Sequence, residues 1–459
     1  MSLPSRRDCL KSAITIIPAL SARSYAANER INLAMIGLGA MGTANIGRML
    51  SLDPKQHVAG IPPVTLPINV VALCDVDSRD PLQRNPRKVF PEFPSTARFW
   101  TDYREMLDKQ KDIDAVFVST PDHTHAVISM HAMKMGKHVT TEKPLTRTIS
   151  ELRALADAAR KYKVATACDM EGHAFDELRG MVEWVKAGVI GDVTEVHIWE
   201  GGGRPRDYPD IKAPLPVPEY LNWDLWLGPA REQPFHAGLH PQTWRGWWDF
   251  STANLGDGIG HRFDLPVWAL DLDSPTLVEP QWDGGDISEV QWRWAVIKWH
   301  FPKRGKLPPV TLTWYSGGKM PPKPEGLGPD EELPRGAGYM LVGSKGKLVA
   351  RGRMSYLESD HGYLLPRSLM KDLPAPPQIL PRVKNQEHLN EWLDAIKGGP
   401  PASCAFDTYS RRVFEIGLLG NVAVRAGKPI EWDAKNMRAK GVPEADRFIH
   451  HEYRKGWEL

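Results

Sequence analysis

An apolar run, Ile31-Asn-Leu-Ala-Met-Ile36, enters the turn Gly37-Leu-Gly39-Ala40-Met41-Gly42, and a helical pattern from Thr43 to Leu50 follows. Gly-x-Gly-x-x-Gly spacing arises by chance in a chain with 39 glycines. Here, though, the strand before it and the helix after it are the context that a dinucleotide-binding βαβ turn requires. Glycine at 37 lets the strand turn sharply, and glycine at 39 lets the backbone approach a pyrophosphate. Gly42 allows close helix–strand packing, with the first helical amides, around Ala40 and Met41, facing the phosphates. The competing reading is an ordinary tight turn between a strand and a helix.

The acidic partner of such a fingerprint belongs at the end of the second strand. Ile68-Asn-Val-Val-Ala-Leu-Cys-Asp75 supplies it, farther along than the usual interval of about 20 residues. The stretch from Gly60 to Pro67 reads as an inserted loop that accounts for the excess. A carboxylate at 75 accepts hydrogen bonds from the ribose hydroxyls and repels a 2′-phosphate, which favours NAD over NADP. Arg79 weakens that preference, and a plain strand-end turn residue is the alternative role for Asp75.

Strand and helix signals then alternate: Ala115–Ser119, Thr124–Met135, Lys137–Thr141, Ile149–Tyr162 and Val164–Cys168. This rhythm predicts a doubly wound parallel Rossmann sheet over 30–168, with ligands outside the carboxyl ends of the strands. Beyond about residue 169 tryptophan becomes frequent and β-type runs dominate, among them Thr194–Trp199, Trp292–His300 and Val310–Tyr315. Polar and apolar residues alternate there, as in an antiparallel sheet with one covered face. Residues 169–459 therefore read as an α+β domain with a large, mostly antiparallel open sheet. Pro321–Arg335, with five prolines, reads as a surface loop. Helical periodicity returns at His388–Ile396 and Tyr409–Arg425, whose helices are expected to pack back on the first domain.

Residues 1–26 read as a targeting segment. Ser5-Arg6-Arg7-Asp8-Cys9-Leu10-Lys11 resembles a twin-arginine export signal, with Cys9 in place of the usual bulky apolar residue. Ala13–Leu20 is too short to span a bilayer of about 30 Å, and Ser24-Tyr25-Ala26 offers a small-x-small cleavage site. The expectation is twin-arginine export to the periplasm or beyond; the alternative is a disordered basic N-terminus. Loss of 1–26 removes four basic residues and one acidic residue, taking the formal charge from +2 to −1. That balance gives no electrostatic reason to expect nucleic acid as a partner. Cys74, Cys168 and Cys404 are an odd remainder without zinc spacing.

Three places carry candidate chemistry. Glu142-Lys143-Pro144 ends a predicted parallel strand, aiming Lys143 at the cleft. Asp257 and His261 are four apart, on one face if the segment is helical, where a carboxylate can orient an imidazole for acid/base work. Ser119-Thr120-Pro121-Asp-His123-Thr-His125 closes another strand. His123 and His125 lack a third ligand in sequence, so no metal is expected.

In this order the motifs resemble those of the Gfo/Idh/MocA oxidoreductases, from about residue 30 onward. Trp223-Asp-Leu-Trp226, Thr243-Trp-Arg245-Gly-Trp-Trp248 and Arg454-Lys-Gly-Trp457 look like its secreted bacterial branch. The resemblance implies NAD held by Gly37, Gly39, Ala40, Met41, Gly42, Asp75, Ser119, Thr120, Pro121, His125, Glu142 and Lys143. It implies a sugar, cyclitol or derivative as substrate, and a homo-oligomer, dimer or tetramer, built through the open sheet. By analogy His261 takes the hydroxyl proton, Lys143 stabilises the developing alkoxide, and Asp257 orients His261 or binds a neighbouring hydroxyl. His173, Arg245 and Trp248 complete the expected substrate contacts. Each has a structural rival: Lys143 paired with Glu142 at the surface, His261 and His173 as satisfied core histidines, Arg245 stacked on its tryptophans.

Three functions follow from this reading. The first is a periplasmic NAD-dependent dehydrogenase. The second is a glycoside-cleaving enzyme that oxidises C3 transiently, eliminates the leaving group and then reduces. The branch of the family resembling the latter lacks the Glu-Lys-Pro motif, which favours the dehydrogenase. The scarcity of free NAD in the periplasm favours a tightly held, self-recycling cofactor. The third, a non-catalytic sugar-binding protein, is disfavoured by the intact motifs.

Overall fold

The computed structural model describes residues 29–52, 64–78, 93, 96–200, 214–240, 243–351, 362–371, 373 and 375–459. The leader-like segment, the first half of the inserted loop Gly60–Pro67, and Arg79 lie outside the described residues. The first sheet comprises β1 (Ile31–Ile36), β2 (Ile68–Cys74), β3 (Arg98–Trp100), β4 (Ala115–Val118), β5 (His138–Glu142) and β6 (Thr166–Asp169). Its order is β3-β2-β1-β4-β5-β6 and every pair is parallel. Strand order reverses between β1 and β4, which opens a crevice at their carboxyl ends. All four residues of β4 are buried, as a strand covered by helices on both faces demands. The helix Ile149–Tyr162 starts at a capping box between Thr148 and Glu151 and buries Ile149, Leu152, Leu155, Ala156 and Ala159 on one face.

The second sheet comprises β7 (Val193–Trp199), β8 (Leu277–Trp282), β9 (Ala295–Phe301), β10 (Val310–Tyr315), β11 (Gly338–Gly343), β12 (Lys347–Arg351), β13 (Gly362–Leu365), β14 (Ile430–Asp433) and β15 (Arg438–Lys440). Its order is β13-β12-β11-β7-β10-β9-β8-β14-β15, antiparallel except where β7 meets β10. In β9 the buried Ala295, Ile297, Trp299 and Phe301 alternate with more exposed residues. Their face packs on the helix Arg411–Ala426: the Trp299 indole donates to Ile416 O at 2.8 Å, and a side chain at Gly420 would strike that ring at 2.5 Å. Leu333, from the proline-rich loop, covers Trp199, Met340, Val349 and Leu365 on the other face.

Later segments return to the first sheet. The Trp392 indole donates to Ala165 O at 3.1 Å, and Cys404 O accepts the Cys168 N–H, on β6, at 3.0 Å. Among the described residues no helix is long and apolar enough to cross a membrane.

Candidate active site

The glycine turn is built by close approach. Gly37 has φ +90°, and a Cβ there would lie 2.5 Å from Ser119 O; at Gly42 one would lie 1.9 Å from Gly37 O. At Gly39 a Cβ would meet nothing within 4 Å. Gly39 precedes the helix Ala40–Met49, and no side chain caps its first amides. Uncapped amides facing open space are what a pyrophosphate requires. Asp75 sits beside them, its carboxylate accepting the Leu38 N–H at 2.6 Å and the Asp77 N–H at 2.9 Å. Burial pushes its carboxyl up, and those two amides work against that.

One cleft runs from this turn past Ser119, Thr120, Pro121, Glu142 and Lys143 to Asp257 and Arg245. The space between these residues, open mouth and solvent included, is about 1570 Å³.

Lys143 Nζ lies 2.7 Å from Asp257 Oδ1. Burial would lower the Lys143 pKa, but Asp257 and Glu142 raise it. Burial would likewise raise Asp257, and the Lys143 ammonium instead holds it far below the usual carboxylate range. Asp257 and His261 share the helix Ala253–Arg262 as expected, yet the carboxylate bonds Lys143 and not the imidazole. His261 is half-buried, and its Nδ1 has no partner among the described residues. Burial, then Lys143 and Arg262, depress it to about 3, so the ring is neutral. It does not itself line the cleft.

Glu142 accepts from Asn45 Nδ2 at 2.8 Å and from its neighbour's backbone, Lys143 N, at 3.1 Å. Burial and Asp169 raise it to about 8. Behind it Asp169 meets Arg48 at 3.5 Å and the His388 imidazole. Burial disfavours His388 charge, but Asp169 and Glu387 lift its pKa to about 10.

Three expected contacts are placed elsewhere. His125 is buried, its Nδ1 2.7 Å from Pro144 O and its Nε2 2.8 Å from Thr120 O, so it ties two cleft loops together without lining the cleft. His173 bonds Asp264 through Nδ1 at 2.8 Å and stacks on Trp268 at 3.9 Å, in the core. Trp248 is buried with its indole N–H on Ile287 O at 2.9 Å. In each ring a nitrogen finds an internal partner, an arrangement that the core offers. Arg245 stacks on Trp244 at 4.4 Å and faces the cleft.

Sequence reasoning did not assign Asp77, His240, Trp226 and Trp457, which also line the cleft. Asp77 bridges to Leu221 and accepts from His240 Nε2 at 2.9 Å. The Arg454 guanidinium donates to Gly228 O at 2.9 Å, and Trp457 lies under Arg104 at 4.4 Å. Segments 220–228 and 451–457 thus close the β2–β3 end of the cleft. Their only signal in sequence is a tryptophan-rich pattern shared with core positions. Among the described residues no group of three metal-ligating side chains occurs.

The uncapped turn, the free space at Gly39 and the carboxylate at 75 fit a nicotinamide dinucleotide. Comparison with known proteins agrees. Residues 31–169 match the oxidoreductase family with NAD-binding Rossmann fold, and residues 182–301 match its C-terminal alpha/beta domain. The chain belongs to the Gfo/Idh/MocA family of NAD-binding oxidoreductases. A glycosyl hydrolase family 109 protein of Akkermansia muciniphila is 27% identical over 256 residues, 48% of this chain and 50% of that protein. The levoglucosan dehydrogenase of Pseudarthrobacter phenanthrenivorans is 27% identical over 165 residues, 36% of this chain and 39% of that enzyme. This chain thus spans half or less of the length of these curated relatives. The aldose-aldose oxidoreductase of Caulobacter crescentus shares the fold at TM-score 0.57 and 18% identity, over 88% of this chain and 100% of that one.

Proposed function

We propose that the protein is an NAD-dependent oxidoreductase acting on the CH–OH group of a sugar, cyclitol or sugar derivative. The observation that carries this reading is the Lys143–Asp257 pair, 2.7 Å across, in the same cleft as the glycine turn. Gly37, Gly39, Gly42, Asp75, Ser119, Thr120, Pro121 and Glu142 would hold the dinucleotide. NAD, when bound, supplies the hydride acceptor. Neutral His261, one helical turn from Asp257, would accept the hydroxyl proton at a ring nitrogen, a role that the His261→Ala variant tests. The Lys143 ammonium donates to the same oxygen as negative charge grows on it. Asp257 holds Lys143 charged and in place, a role different from orienting His261.

The test is to denature the purified protein, assay the released nucleotide, and follow sugar- or cyclitol-dependent reduction of NAD. Lys143→Ala is expected to lower kcat by about 10²–10³-fold and His261→Ala by about 10²–10⁴-fold, with bound nucleotide retained. Normal turnover in either variant removes that residue from the reaction.

A second reading, redox-assisted glycoside cleavage with a resident cofactor, is supported by the likeness to a glycosyl hydrolase family 109 protein. Release of aglycone from chromogenic glycosides without net NAD reduction would select it. Export through the twin-arginine route and a dimeric or tetrameric assembly belong to the same proposal. Cell fractionation and light scattering test them.

A further inference from the structure

Among the described residues two permanently charged cations line the cleft, Lys143 and Arg245. Lys143 is matched by Asp257. Arg245, half-buried, stacks on the Trp244 ring at 4.4 Å, and among the described residues it forms no ion pair with a carboxylate. The acid whose ionisation Arg245 influences is Asp257, not the ribose-side Asp75. The guanidinium therefore lies within electrostatic reach of the Lys143–Asp257 pair, in the same cleft. Among the described residues there, Lys143 pairs with Asp257, Arg262 with Glu200, and the buried Asp122 carboxylate is held by the Thr252 N–H and hydroxyl, which leaves Arg245 as the cleft cation without an ion-pair partner. An oxidised nicotinamide ring adds further positive charge. Stacking on an indole holds a guanidinium flat, with its fork of N–H donors presented edge-on, the geometry that a planar carboxylate accepts in bidentate fashion.

We propose that the substrate carries a carboxylate, as a uronic or aldonic acid or a carboxylated polyol does, and that Arg245 binds it. This rests on the oxidoreductase reading and narrows its substrate class. In water a guanidinium–carboxylate contact adds little, but in a partly dry cleft it sets both orientation and choice of ligand.

The experiment titrates nucleotide-loaded protein by calorimetry with two matched pairs of probes: D-glucuronate against D-glucose, and D-galacturonate against D-galactose. At least one acid is expected to bind about tenfold or more tightly than its neutral partner, a difference of about 1.4 kcal/mol. Arg245→Gln should abolish that preference, and Arg245→Lys should keep part of it. The inference is overturned if neither acid binds, if acid and sugar bind alike, or if the preference survives in Arg245→Gln. Loss of bound nucleotide in Arg245→Gln also overturns it, since the cation would then serve the dinucleotide. Nicotinamide reduction is read in parallel. Arg245-dependent acid binding without hydride transfer sinks the oxidoreductase reading alone, and oxidation of neutral sugars as fast as of acids sinks this inference alone.

Discussion

The Asp257 carboxylate takes up the Lys143 ammonium and leaves Nδ1 of the imidazole one helical turn away without a partner among the described residues, which sets the ionisation of the reacting end. Lys143 keeps its proton well into the alkaline range because Asp257 and Glu142 outweigh burial. Asp257→Asn is expected to lower the Lys143 pKa and so move the alkaline limb of the kcat/KM profile to lower pH. An unmoved limb would separate Asp257 from Lys143 function. His261, already depressed to about 3 by burial and neighbouring cations, stays deprotonated down to low pH. The acid side of the same profile should therefore lack a limb near the ordinary imidazole value of about 6.5.

At the scale of elements, the helix Ala253–Arg262 begins with a non-glycine residue at φ +59°. Its start is pinned from the first sheet's side: Asp122 Oδ2 accepts the Thr252 N–H at 2.9 Å and the Thr252 hydroxyl at 2.8 Å. Left-handed backbone costs an L-residue about 1–2 kcal/mol. Ala253→Gly should stabilise the fold by about 1 kcal/mol, or leave it unchanged once chain entropy is counted. Urea denaturation measures this, and a clear loss of stability would contradict the strain. Much of the first sheet was legible because its strands are buried on both faces and its turns are written in glycine. The Glu142-Lys143 loop, Asp257 and the glycine turn were legible for the same reason, since their positions follow from strand ends and one helical spacing. His173 and Trp248 were misplaced because a histidine or tryptophan with one internal hydrogen bond has no sequence mark that separates core from cleft. Short strands such as β3, β14 and β15 carry too few residues to show a period. The cover formed by 220–228 and 451–457 depends on long-range contacts that no local pattern encodes.

At the scale of the molecule, two features couple the domains. His388, from the later part of the chain, is lifted to about 10 by Asp169 and Glu387 against burial. Its folded value lies above the unfolded value of about 6.5. The stability it contributes is complete below that pH and is lost as pH rises from about 6.5 towards 10. Melting temperature should fall by a few degrees across this window, and His388→Gln should flatten the fall; an equal slope in the variant would count against the pair. The other feature is Trp457, which lines the cleft under Arg104. Trp457→Ala should speed release of bound nucleotide by about tenfold, a change of about 1.4 kcal/mol, measured by the rate at which nucleotide appears in the filtrate. An unchanged rate would make the ring a structural wall only.

The contact of Cys404 O with the Cys168 amide has a consequence for how the protein is made. β6 is an edge of the first sheet, and an unpaired edge recruits other strands. The groups that cover it leave the ribosome roughly 240 residues after it, about 10–50 s later at 5–20 residues/s. For that interval the nascent nucleotide-binding sheet stands finished in sequence but open at one side. The edge closes only once those later residues have been made, and until then it stays open to pairing with another strand.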